Sequence, residues 1–138
     1  MHTTFTIQTT GPGLYEFTSQ VADWTSAHAD GLLTLFIRHT SASLLIQENA
    51  DAKVQDDLQS YFHRLVPPAS DPKMAYLTHT VEGPDDMPAH IKAALTATSL
   101  SIPILEGELV LGTWQGIFLW EHRESANSRE VVVHISAS

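Results

Sequence analysis

The chain has no cysteine. Disulfides, thiolate metal sites and a cysteine nucleophile are therefore excluded, and a reducing compartment fits. Basic residues are scarce too. Seven Lys and Arg stand against sixteen Asp and Glu, for a formal net charge of −9. A surface of that sign repels the phosphate backbone of nucleic acid, so no nucleic-acid partner is expected. No apolar run approaches membrane-spanning length, and the opening MHTTFTIQTT has neither the basic head nor the apolar stretch of a secretion signal. The expectation is a soluble, cytoplasmic protein without a membrane partner. A glycine-rich phosphate-cradling loop, heptads, a solenoid period and low-complexity segments are absent as well.

What is present suits a globular chain. With 138 residues, 43% of them apolar, it reads as one domain over 1–138. A domain of this size buries about two-thirds of its unfolded surface. Thr3 to Thr10 alternates as a strand and stops at Gly11-Pro12-Gly13. Helical spacing of Val21, Trp24 and Ala27 predicts a helix from about Ser19 to His28. GLLTLFIR, Gly31 to Arg38, reads as a central strand that delivers His39-Thr40-Ser41-Ala42-Ser43. Val54, Leu58, Tyr61 or Phe62, and Leu65 mark one face of a second helix, with Gln55, Asp56, Gln59 and Arg64 toward water. Val66-Pro67-Pro68 ends it.

Four strand segments follow toward the C-terminus. Ser99 to Leu105 has Pro103, which suggests an edge, and returns as Leu109 to Leu111. Gly112 and Gly116 bracket a bulge or sharp bend before Ile117 to Trp120, and Arg129 to Ile135 is the last strand. The class is α+β.

The chemistry gathers in Tyr76 to Thr98, YLTHTVEGPDDMPAHIKAALTAT, where His79, Glu82, Asp85, Asp86 and His90 fall close together. Neutral imidazole and carboxylate are the ligands a divalent transition metal selects. Gly83-Pro84 marks a loop running into a helix, with Pro88 in its first turn and Asp85 or Asp86 as cap. Ile91, Ala94, Leu95 and Thr98 would then form its inner face. An acidic loop before a helix is also good capping chemistry in itself.

Taken in order, His39-Thr-Ser-Ala-Ser43 with Glu48-Asn49, then His79-x-x-Glu82-Gly83-x-Asp85-x-x-x-Ala89-His90-Ile91-Lys92, then Gly112-Thr113-Trp114-Gln115, then Glu121, resemble the YjbQ-like family. The resemblance spans nearly the whole chain. It implies a YjbQ-like fold of sheets packed sandwich-fashion with helices on one side, assembled as a homotrimer. It also implies secondary thiamine-phosphate synthase activity, joining a pyrimidine diphosphate to a thiazole phosphate with release of diphosphate.

Such a displacement needs charge neutralised on the leaving diphosphate, usually by Mg²⁺ and by Lys or Arg. The matching positions offer His39, Glu82 and Glu121 for catalysis, with Glu82 or Glu121 as general base if the reaction is hydrolysis. Ser41, Ser43, Asn49, Lys92, Trp114 and Gln115 are the candidates for holding a phosphorylated substrate, and His79, His90 and Asp85 for a divalent metal. Histidines suit Zn²⁺ or Mn²⁺ better than Mg²⁺. That mismatch keeps two alternatives open: metal-dependent hydrolysis of a phosphorylated small molecule, and a module that binds a metabolite or metal without turnover. His122 neighbours Glu121 on a strand and should face away from it, whereas Arg123 shares its face and could pair with it.

Overall fold

A computed structural model describes residues 1–28 and 30–138. In chain order the elements are β1 (His2–Thr9), β2 (Gly13–Glu16), α1 (Thr18–Thr25), β3 (Gly31–Ile37), β4 (Ala42–Glu48), α2 (Ala52–Leu65), α3 (Asp86–Leu95), β5 (Ser99–Leu105), β6 (Glu108–Leu109), β7 (Gln115–Glu121) and β8 (Asn127–Ala137). A 3-10 turn, Pro72–Met74, lies between α2 and α3. The strands form two antiparallel sheets, one in the order β1-β8-β3-β5-β6 and one in the order β2-β7-β4.

Strand alternation builds the core. Leu33, Leu35 and Ile37 of β3, Ile102 and Ile104 of β5, and Val131, Val133 and Ile135 of β8 share one face. They meet Leu44 of β4 with Ile117 and Leu119 of β7 between the sheets. The central strand β7 is buried on both faces, which is why it reads as an unbroken apolar run rather than an alternation. Phe118 and Trp120 fill its second face.

Helix α2 lies over that second face. Its Phe62 ring stacks on Trp120 at 4.4 Å between centroids, and Trp120 Nε1 donates to Gln59 Oε1 at 2.8 Å. A buried indole N–H must find an acceptor, and this rotates α2. Gln55 and Gln59, expected in water, are half-buried, while Tyr61 and Leu65 are exposed. Helix α3 turns likewise. The predicted inner face of Ile91, Ala94, Leu95 and Thr98 gives way to Asp86, Pro88, Ala89, Lys92 and Ala93, and Leu95 is exposed. Polar anchors, described below, set its rotation.

Pro103 sits on a strand that is an edge over most of its length, because β6 pairs only with Ile104 and Leu105. Its carbonyl accepts from Val110 N at 3.0 Å, so its nitrogen faces the same, otherwise open side, where no ladder donor is needed. The Gly112 segment is a turn rather than a bulge, closed by Gln115 N to Gly112 O at 3.1 Å. Among the described residues, no helix covers the outer face of the five-stranded sheet, where Leu32 and Phe36 are exposed. Among the described residues, no helix is long and apolar enough to cross a membrane.

Leu119 is fully buried at the centre of the β7 contact between sheets. Leu119→Ala should cost about 2–5 kcal/mol. Tyr76→Ala, at an exposed site, should stay within about 0.5 kcal/mol. Urea unfolding of both variants checks the pair; equal midpoints would contradict this core.

Candidate metal centre

Asp86 and His90 stand four residues apart on α3, so they share a face of the helix. The preceding loop returns His79 to the same place. It bends at Gly83, whose φ of +102° is a conformation side chains resist, and Ala69 N ties it down by donating to Pro84 O at 2.8 Å. His79 Nε2 lies 2.9 Å and His90 Nε2 3.3 Å from Asp86 Oδ2. The two rings are 5.8 Å apart, edge to face. One ligand atom from each of the three residues falls within 4.8 Å of the others.

Hydrogen bonds behind the cluster aim its ligands. His90 Nδ1 donates to Thr40 O at 2.9 Å, which turns Nε2 toward Asp86 as the atom that could ligate a metal. Asp86 is 2% exposed. Its other oxygen, Oδ1, accepts from Arg123 Nη1 at 2.8 Å. Burial pushes the Asp86 carboxyl upward, but the His79 hydrogen bond and the charges of His90 and Arg123 outweigh it and hold the group below its ordinary range. Asp86 is an anion facing two imidazoles. Two nitrogens and one carboxylate oxygen, with His79 half exposed, fit a Zn²⁺- or Mn²⁺-type ion that keeps open positions, and fit Mg²⁺ poorly.

Asp85 is turned elsewhere. Its Oδ2 accepts from Arg123 Nε at 2.9 Å and from Glu124 N at 3.0 Å, so Asp86 occupies the place between the imidazoles. Asp85 stands at the N-cap position of α3 without capping it through its side chain. Arg123 Nη2 also reaches Glu82 O at 3.3 Å. One guanidinium thus gathers the whole acidic loop.

His39 and His90 line a cleft of about 280 Å³ with Thr40, Ala93, Ala94 and Thr98. His39 Nε2 accepts from Glu130 N at 2.8 Å, and Arg129 Nη1 lies 3.4 Å from its Nδ1. Burial, then the Arg129 charge, lower its pKa, so the ring is neutral. Glu121 is fully buried and its oxygens are occupied. Arg129 Nε and Thr9 Oγ1 donate to Oε1 at 2.8 and 2.7 Å, and Arg129 Nη2 and Arg123 N donate to Oε2. Its partner is Arg129 rather than the Arg123 side chain, and it has no open path to a substrate. Ser41 Oγ accepts from Arg129 Nη2 at 3.0 Å. Ser43 Oγ lies 2.9 Å from His122 Nε2, both residues buried.

Asn49, Trp114 and Gln115 lie apart from this group. The β4–β7 ladder runs from Ala42↔Glu121 to Glu48↔Gln115, six residues or about 20 Å of strand. At that far end Asn49 Nδ2 donates to Glu16 Oε2 at 2.8 Å, and Gly112 N donates to Gln115 Oε1 at 2.8 Å. Trp114 is 62% exposed. Sequence reasoning set Asp85 beside the two histidines, whereas Asp86 lies between them, although its four-residue spacing to His90 was visible. It also set aside His122, and nothing local announced the reach of Arg123 and Arg129.

A family model described as UPF0047 protein YjbQ-like matches residues 3–138. UPF0047 protein sll1880 of Synechocystis is 53% identical over 132 residues, covering 94% of this chain and 87% of that one. UPF0047 protein YjbQ of Escherichia coli O157:H7 is 43% identical over 117 residues, 85% of this chain and 80% of its own. A crystal structure of a YjbQ/UPF0047 family protein from Clostridium acetobutylicum superposes with a TM-score of 0.84 at 33% identity, covering 97% and 99% of the two chains.

Burial lowers the His122 pKa from 6.5 to about 3. The unfolded chain takes up a proton that the fold refuses, so this stability is complete above pH 6.5 and is lost as pH falls toward 3. Unfolding free energy measured against pH should fall less steeply in His122→Leu than in the wild type, by up to about 1.4 kcal/mol per pH unit. Parallel curves between pH 6.5 and 4.5 would contradict a neutral, enclosed His122.

Proposed function

The chain belongs to the YjbQ-like UPF0047 family, and we propose that it is a metal-dependent enzyme acting on a phosphorylated small molecule at His79, Asp86 and His90. The carrying observation is that these three ligand atoms converge on one point while Arg123, the nearest guanidinium, is engaged with Asp85 and Asp86. Arg129 is likewise engaged with Glu121. A substrate phosphate therefore needs a metal for its counter-charge. A cation held by this cluster would neutralise the charge that collects on a departing diphosphate.

The reaction we favour is the thiamine-phosphate synthase-like transfer. A C–N bond forms from the thiazole nitrogen to the pyrimidine methylene carbon as its C–O bond breaks, and diphosphate leaves with the electron pair. His79 and His90 hold the ion, Asp86 supplies the anionic ligand, and Thr40 O fixes the His90 tautomer. His39 forms the neighbouring cleft wall. One observation favours hydrolysis as the second reading: an N₂O donor set suits Zn²⁺ or Mn²⁺. Glu82, whose exposed side chain has no hydrogen-bond partner among the described residues, would then serve as general base.

A homotrimer is part of the proposal. It is supported by the separation of Asn49, Trp114 and Gln115 from the histidine cluster within one chain, which a neighbouring copy would remedy. The bare outer sheet face around Leu32 and Phe36 offers a contact surface.

Calorimetric titration of metal-stripped protein with Zn²⁺ and Mn²⁺ should show one site per chain, weakened by about 100-fold or more in His79→Ala and Asp86→Asn. Both variants should lose turnover of the pyrimidine diphosphate and thiazole phosphate pair. Release of phosphate from simple phosphoesters without coupling would select hydrolysis, and tight metal binding with no product from either assay would select the binding module. Unchanged metal affinity in both variants sinks the metal centre. Sedimentation should give three times 15.2 kDa. Inactive His79→Ala and Trp114→Ala proteins, unfolded and refolded together, should recover part of the activity; a monomer, or no recovery, contradicts a shared site.

A further inference from the structure

On the side of α3 away from His90 lies a second cavity, walled by Gln59, His63, Asp85, Lys92, His122 and Glu124 among others. Its volume is about 30 Å³, roughly two waters in size. It is too small for a heterocycle and right for a planar group of three heavy atoms.

Lys92 is 8% exposed, and its amine has no hydrogen-bond or ion-pair partner among the described residues. The amine is not sealed off from the cavity, so its N–H groups are available to an anion there. Glu124 and Asp85 bring negative charge near the amine, but neither forms an ion pair with it among the described residues. Asp85 is held by Arg123 and by Glu124 N, and the Glu124 side chain forms no ion pair among the described residues.

The other polar walls are donors. Gln59 Oε1 accepts from Trp120 Nε1, which leaves the amide N–H₂ for the cavity. His122 Nε2 is matched with Ser43 Oγ, and its Nδ1 has no partner among the described residues. When the Ser43 hydroxyl donates to Nε2, the neutral ring carries its proton on Nδ1. One cation and two neutral donors around a small space match a single negative charge. The acidic side chains at the rim disfavour a dianion.

We propose that this cavity binds the carboxylate of a small organic acid, held by Lys92 Nζ, Gln59 Nε2 and His122 Nδ1. The site is separate from the candidate metal centre and does not rest on the metal reading.

Acetate is the probe. Titrated into the intact protein at constant ionic strength, it should shift the ¹⁵N and ¹H resonances of the Gln59 amide side chain saturably, and inorganic phosphate should bind more weakly. Lys92→Met should weaken acetate at least tenfold, with its fold checked by circular dichroism. Glu124→Gln removes a rim charge and should tighten acetate at least twofold, which tests the site even if Lys92→Met does not fold. An absent or non-saturable Gln59 shift overturns the proposal. So does an affinity unchanged in either variant, or phosphate binding tighter than acetate.

Discussion

Arg123 reaches from the end of β7 to both aspartates at the head of α3, and the geometry of the candidate site depends on that reach. Its Nε and Nη1 bond Asp85 and Asp86 at 2.9 and 2.8 Å, and the Asp86 side chain is only 3% exposed. Charge-assisted bonds to a planar guanidinium fix direction as well as distance. With Oδ1 of Asp86 held by arginine, Oδ2 must point at His79 and His90. The same contact joins the acidic loop to the three-stranded sheet. Losing it would leave Oδ1 of a buried carboxylate without its donor, which costs on the order of 1–3 kcal/mol.

A second ion pair repeats the arrangement deeper in the fold. Arg129 closes on Glu121, helped by Thr9 and Ser41, and occupies every oxygen of a carboxylate with no exposure. An acidic chain with seven basic residues therefore commits two of them to internal carboxylates near the histidines. The consequence reaches function. Little positive charge remains for an anionic substrate at the histidine cluster, so chemistry on phosphates there calls for a metal. Lys92, enclosed across the helix, is the one cation near the site without a partner among the described residues.

Much of the fold was legible because strand alternation and turn residues are local signals. Leu33, Leu35 and Ile37, and Val131, Val133 and Ile135, announce a buried face by period alone. The helices were placed well; α1 keeps its predicted Val21 face, while α2 and α3 are rotated in part. Leu95 looked like an anchor and is exposed, because α3 follows Asp86 and Lys92 inward. Gln59 looked solvated and is half-buried because a distant indole requires its oxygen.

The candidate site was legible to the same depth. His79 and His90 do come together, while Asp86 rather than Asp85 lies between them. The choice between adjacent aspartates was decided by Arg123, 37 residues beyond Asp86 in sequence. Family-like motifs marked Glu121, Asn49, Trp114 and Gln115 as members of one pocket. The chain buries the first and sets the other three at the opposite end of a ladder.

The central claim is that His79, Asp86 and His90 form one metal site. Crystals soaked in Co²⁺ or Zn²⁺, with diffraction collected on either side of the metal absorption edge, test it directly. The account predicts one strong anomalous peak per chain, about 2.0–2.2 Å from His79 Nε2, His90 Nε2 and Asp86 Oδ2, with Arg123 still on Oδ1. A peak on Asp85 instead, or no peak while both imidazoles remain bonded to Asp86, would contradict it.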